Sequence, residues 1–287
     1  MDDALFKAVE WQEAPLEPER PIIDPHHHLG EKPGRPRYLL HEFLADITRG
    51  HNIRATVSIE SSSMYRAEGP RDFRFIGETE FCNGIAAMSA SGHYGPIRVC
   101  AGIVGSVDFT LGDKVRGVLE AHIAAGNGRF KGIRNTVACD DFEGLKNYRN
   151  PPWRLICQPA WRSGFKHLGP LGLSFDTWLY FTQLPDVIDL AGAFPDTTII
   201  VNHLGGPVGI GPYAAKKAEV LAEWRKRLTE LAPHENVYLK VGGLGMPVIG
   251  LGFERKQKPT SEQLAPAWRP YVETAVEIFG EIGRAHV

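Results

Sequence analysis

Strand-like and helix-like segments alternate along almost the whole of this 287-residue chain, and few folds accommodate that pattern. Short runs rich in β-branched and aromatic residues fall at residues 21–24, 54–60, 98–104, 130–137, 173–180, 197–203 and 237–241. Helical periodicity fills the gaps. Residues 40–49 place Leu40, Phe43, Leu44 and Ile47 on one face, and residues 115–125 do the same with Val115, Val118, Leu119 and Ile123. Residues 184–194 follow, then 214–231 with Val220, Leu221, Trp224 and Leu228. Such alternation predicts a parallel sheet, and seven or eight units predict a TIM (β/α)8 barrel. No linker, binding-motif repeat or low-complexity tract interrupts it. One domain is expected over residues 21–280, after an N-terminal extension at 1–20.

The sharpest local feature is Asp24-Pro25-His26-His27-His28, at the end of the first strand. Alternate residues of a strand share a face. His26 and His28 are therefore expected to point together into the barrel mouth, with His27 turned away. Two imidazoles at that spacing on a rigid strand suit a divalent metal. The competing reading is a surface histidine cluster or a hydrogen-bonded turn.

This DPHHH segment resembles the HxH motif that opens the first strand of amidohydrolase-superfamily barrels. Val201-Asn202-His203-Leu204-Gly205-Gly206 resembles the sixth-strand segment of that family, which ends in a histidine and a glycine turn. Lys131-Gly132-Ile133-Arg134 resembles the fourth-strand segment of its lactonase-like branch, and residues 174–178 and 239–243 fit that branch's fifth and seventh strands. The resemblance implies a metal-dependent lactonase, next to decarboxylases of related fold. Members of the branch differ in how tightly they hold a metal, and some resemble enzymes that need none.

Roles follow from the chemistry of a lactone. Its carbonyl must be polarised, a water activated and the ring oxygen protonated. Zinc or manganese held by His26, His28 and His203 would serve the first two needs, because a water bound to zinc has a pKa of about 7. Glu60 reads as a further ligand, as a partner to an imidazole or as a solvated loop charge. Asp176 reads either as a base or histidine-orienting group or as structural. Arg134 reads either as a fork for a substrate carboxylate or as an internal ion pair. Trp178 and Tyr65 are candidates to wall the substrate. The glycine loop at 205–211 lacks the lysine and hydroxyl of a P-loop, and Ser61, Ser62 and Ser63 form no GxSxG elbow. Besides lactone opening, decarboxylation of an aromatic or unsaturated acid and a non-catalytic ligand-binding barrel remain open.

Composition narrows the partners. A net charge of −2 offers no basic field for nucleic acid, and no long apolar run suggests a membrane span. Cys82, Cys100, Cys139 and Cys157 contain no CxxC and are expected as free thiols in a cytoplasmic protein. The expected partner is a small carboxylate-bearing molecule. Residues 281–287 lack strand character. Back-translated as GAG ATC GGA AGA GCA CAC GTC, they read like a common short-read sequencing adapter. The segment is thus expected to be non-native, with strand eight missing together with the acid, or in some branches the amide, that the resemblance implies at its end, and the chain poorly soluble or poorly active.

Overall fold

The computed structural model describes residues 13–146, 149–253, 259–280 and 285–286. Its strands are β1 (Pro21–His27), β2 (Asn52–Ile59), β3 (Arg98–Gly105), β4 (Phe130–Thr136), β5 (Ser174–Trp178), β6 (Ile199–Val201), β7 (Val237–Lys240) and β8 (Ala285–His286). Each of β1 to β7 is followed by a helix: α1 (Leu40–Ile47), α2 (Ile76–Ala90), α3 (Val115–Gly126), α4 (Pro159–Phe165), α5 (Leu184–Ala193), α6 (Lys217–Leu231) and α7 (Ser261–Phe279). The strands are parallel and neighbours in space follow their order in the chain. This is the expected barrel architecture, with one qualification. The eighth strand is a two-residue stub, paired only as Leu239↔Ala285 and Lys240↔His286. Among the described residues no pairing joins it to β1, so the sheet is curled but open.

The stub gives Ala285 and His286 a strand pairing that the tail was not expected to have; otherwise the sheet is the expected barrel truncated before its eighth strand. The rest of the tail, residues 281–284 and 287, lies outside the described residues, as do residues 1–12 of the N-terminal extension. Two boundaries also differ. Strand β1 runs through His27, because the chain shifts register after Asp24 and pairs again at His27↔Ser58. Strand β6 stops at Val201, where the chain turns through left-handed conformations at His203, Leu204, Gly205 and Gly206 (φ 52°, 59°, 68° and 58°). Helix α7 starts at Ser261, with Thr260 accepting from the Gln263 amide as its N-cap, although Pro266 and Pro270 lie inside it.

Two helices carry no clear periodic signal. Helix α2 buries Gly77, Glu78, Thr79 and Ser89 beside its apolar residues, so its inward face is not an apolar stripe. Helix α4 is short, but its Trp161 and Phe165 meet Phe109 and Phe175 edge-on or stacked, with ring centroids 5.0–5.9 Å apart. This aromatic cluster fills the layer between β5 and the helices. All four cysteines are free. Among the described residues, no helix is long and apolar enough to cross a membrane.

Candidate active site

The C-terminal ends of β1, β5, β6 and β7 bring the predicted histidines together. The rings of His26 and His28 lie 4.9 Å apart and those of His26 and His203 4.6 Å apart. Strand alternation sends His27 the other way. It stacks on Phe43 of α1 at 4.1 Å and bonds Thr56 Oγ1 at 2.8 Å. His203 reaches the cluster because the chain leaves β6 in a left-handed turn. Gly206 permits that turn: a Cβ there would run into the Leu179 carbonyl oxygen. Trp178 closes the outer side, edge-on to His203 at 5.3 Å.

The imidazoles are electrically neutral. Burial, aided by the Arg134 charge, holds His203 down to about 3 and His28 to about 4. His26 falls far below the ordinary histidine range, through burial first and then the neighbouring His203 and Lys240. His28 is exposed and lines the cleft. Its Nδ1 donates to the Ile59 carbonyl at 2.9 Å, which leaves its Nε2 with a lone pair.

The carboxylates are engaged elsewhere. Glu60, with no exposed side-chain surface, lies 3.0 Å from Arg134 Nε and 2.7 Å from Arg149 Nη2. The first contact is an ion pair without hydrogen-bond alignment. Arg134 also donates to the Glu60 carbonyl at 2.6 Å and to Thr136 Oγ1 at 3.0 Å. Tyr65 stands 3.3 Å from Arg149. Asp176, fully buried, accepts from Lys240 Nζ at 2.7 Å and from Asn202 Nδ2 at 3.0 Å, and among the described residues neither carboxylate bonds a histidine. Lys240, Arg149 and Asn202 were not anticipated. A lysine inside the apolar run Val237-Tyr238-Leu239-Lys240-Val241 was a readable signal; Arg149, 89 residues from Glu60, was not.

A divalent ion requires several lone pairs converging on one point. His26 Nε2 and His28 Nε2 converge to 3.2 Å, as two ligands of one ion would. Among the described residues, however, no three His, Cys, Asp or Glu side chains are placed to share an ion. The expected trio is gathered, but not as a chelate. Two donors beside a lysine ammonium do not fit a tightly held metal. Two hollows flank the cluster. One, of 620 Å³, is lined by His28, Lys32, Arg35 and Arg134 among others. The other, of 370 Å³, is lined by His26, His203, Lys240 and Gly243 between β1 and β7.

Comparison with known proteins agrees with this architecture. A family model described as "Amidohydrolase" matches residues 23–281. An uncharacterized Sinorhizobium fredii protein, y4mH, is 34% identical over 280 residues, covering 90% of this chain and 81% of its own length. The L-fucono-1,5-lactonase of Burkholderia ambifaria is 26% identical over 144 residues, 50% of this chain and 43% of the relative. An amidohydrolase from Burkholderia multivorans, crystallised with bound zinc, superposes with a TM-score of 0.64 at 21% identity, over 92% of this chain and 81% of that one. A putative 2-pyrone-4,6-dicarboxylic acid hydrolase from Pseudomonas putida gives 0.55 at 14% identity, over 92% and 80%. Both structural likenesses speak to the fold.

Proposed function

This chain belongs to the amidohydrolase family, and we propose that it is a hydrolase that opens the ring ester of a small lactone where His26, His28 and His203 meet. The observation that carries this reading is the cluster of three neutral imidazoles beside the Lys240 ammonium, at the loop-bearing end of the sheet. The relative named as a lactonase favours a cyclic ester over an amide.

Water adds to the carbonyl carbon, the bond to the ring oxygen breaks, and the ring oxygen takes the proton. His203 is the group we assign to that proton, since its ring makes only aromatic contacts among the described residues. Positive charge on Lys240 and Arg134 favours the oxyanion as it develops. Asp176 and Glu60 act through the cations they hold, so both are positioning residues. The cationic wall of Lys32, Arg35 and Arg134 suits a carboxylate on the substrate; Trp178, packed edge-on to His203, and Tyr65, beside Arg149, are the aromatic side chains we assign to the substrate's other face. In this scheme zinc or manganese is either weakly bound or dispensable.

A panel of sugar-acid and aromatic lactones, followed by acid release with a pH indicator, tests the proposal. Each is assayed with chelator and with added zinc or manganese. Ring opening that survives the chelator is expected. Carbon dioxide release without ring opening would favour a decarboxylase, and no turnover of any lactone would contradict the reading.

A further inference from the structure

Lys240 closes β7 and is only 7% exposed. Its ammonium has three hydrogens and no lone pair. It meets three acceptors: Asp176 Oδ1 at 2.7 Å, the Pro25 carbonyl at 3.0 Å and His26 Nδ1 at 3.4 Å. His26 Nδ1 must therefore offer its lone pair, and a neutral His26 carries its one ring hydrogen on Nε2. That nitrogen faces His28 Nε2 at 3.2 Å. His28 is fixed from the other end, because the Ile59 carbonyl only accepts and so keeps the hydrogen on His28 Nδ1. Donors and acceptors then run in one direction, Lys240 to His26 to His28 to Ile59, with each tautomer set by its neighbours.

We propose that Lys240 is a positioning residue that locks His26 in its Nε2–H tautomer and so makes the histidine pair a hydrogen-bonded unit rather than a metal chelate. A divalent ion would need the Nε2 lone pairs of both rings. The one on His26 carries a hydrogen and the one on His28 is taken. Freeing them would move the His26 hydrogen to Nδ1, facing the ammonium, while the ion itself would sit close to that same positive charge. The lock goes beyond the lactone reading and does not require it, since it is read on ring nitrogens and on metal affinity.

Two measurements on the full chain test it. In ¹⁵N–¹H spectra of histidine rings, with His26 assigned by its loss in His26→Gln, the unmodified protein should show His26 protonated at Nε2. A hydrogen on Nδ1 would overturn the proposal without any variant at Lys240. Calorimetric zinc titration should then give at least tenfold tighter binding to Lys240→Met than to the unmodified chain, while Lys240→Arg keeps weak binding. The double variant Lys240→Met/Asp176→Asn, which leaves no buried carboxylate unpaired, should show the same gain if the single variant fails to fold. Unchanged zinc affinity in folded Lys240→Met, or in the folded double variant, would contradict the lock.

Discussion

At the scale of single residues, the site is held by charges that satisfy one another out of water. Glu60 is the clearest case: its buried carboxylate faces two guanidinium groups, of which Arg134 is itself nearly buried. Breaking a buried pair by removing one partner leaves the other charge uncompensated. Glu60→Gln keeps the shape and an acceptor oxygen but removes the charge. It should cost about 3 kcal/mol of folding stability, measured by urea unfolding, and lower activity through displacement of Arg134. A loss too small to measure would mean that solvent reaches Arg134 and Arg149 more freely than their burial implies. His26 and His28 were legible from alternation alone, because the period of a strand fixes which side chains share a face. The partners of the carboxylates were not, because they arrive from strands and loops far apart in the chain.

At the scale of elements, the loop after β2 is clamped from α2. Glu78 accepts from the Ser61 amide at 2.7 Å, from Ser61 Oγ at 2.9 Å and from the Ser63 amide at 3.4 Å. Gly77 lies under the same loop, where a Cβ would press on Met64 O and Arg66 N. Burial, and then the charge of Glu60, push the Glu78 carboxyl up from 4.5 to about 7. The folded state thus holds this proton more tightly than the unfolded chain. Its contribution is fully present below the unfolded value of 4.5 and is lost as pH rises through about 7. Stability should decline across that window by up to about 3 kcal/mol from this group. Glu78→Gln should flatten the decline in denaturant midpoints measured at several pH values; an unchanged slope would exclude Glu78 as its source. None of this was readable beforehand. A buried glutamate on a helix without an apolar stripe leaves no periodic trace, whereas α1, α3 and α6 were visible because their inward faces are apolar.

At the scale of the molecule, the parallel order of strands was predictable because strand–helix alternation leaves few other topologies. The openness of the sheet has a physical consequence. Among the described residues, β1 pairs only with β2, and Ile23 on that strand is 65% exposed. Unpaired strand edges with apolar side chains invite association. Light scattering should therefore rise with protein concentration, and Ile23→Lys should reduce it without changing the circular dichroism spectrum. A chain that stays monomeric at high concentration would show that this edge is protected.

Ester hydrolysis by neutral histidines at the ends of β1 and β6 is the function we propose. It is tested most directly by kcat/KM for the best lactone in chelator, comparing the unmodified chain with His203→Asn and with His26→Ala/His28→Ala. The account predicts a fall of roughly 10²–10⁴ in each folded variant. Variants that open the ring as fast as the parent would contradict it.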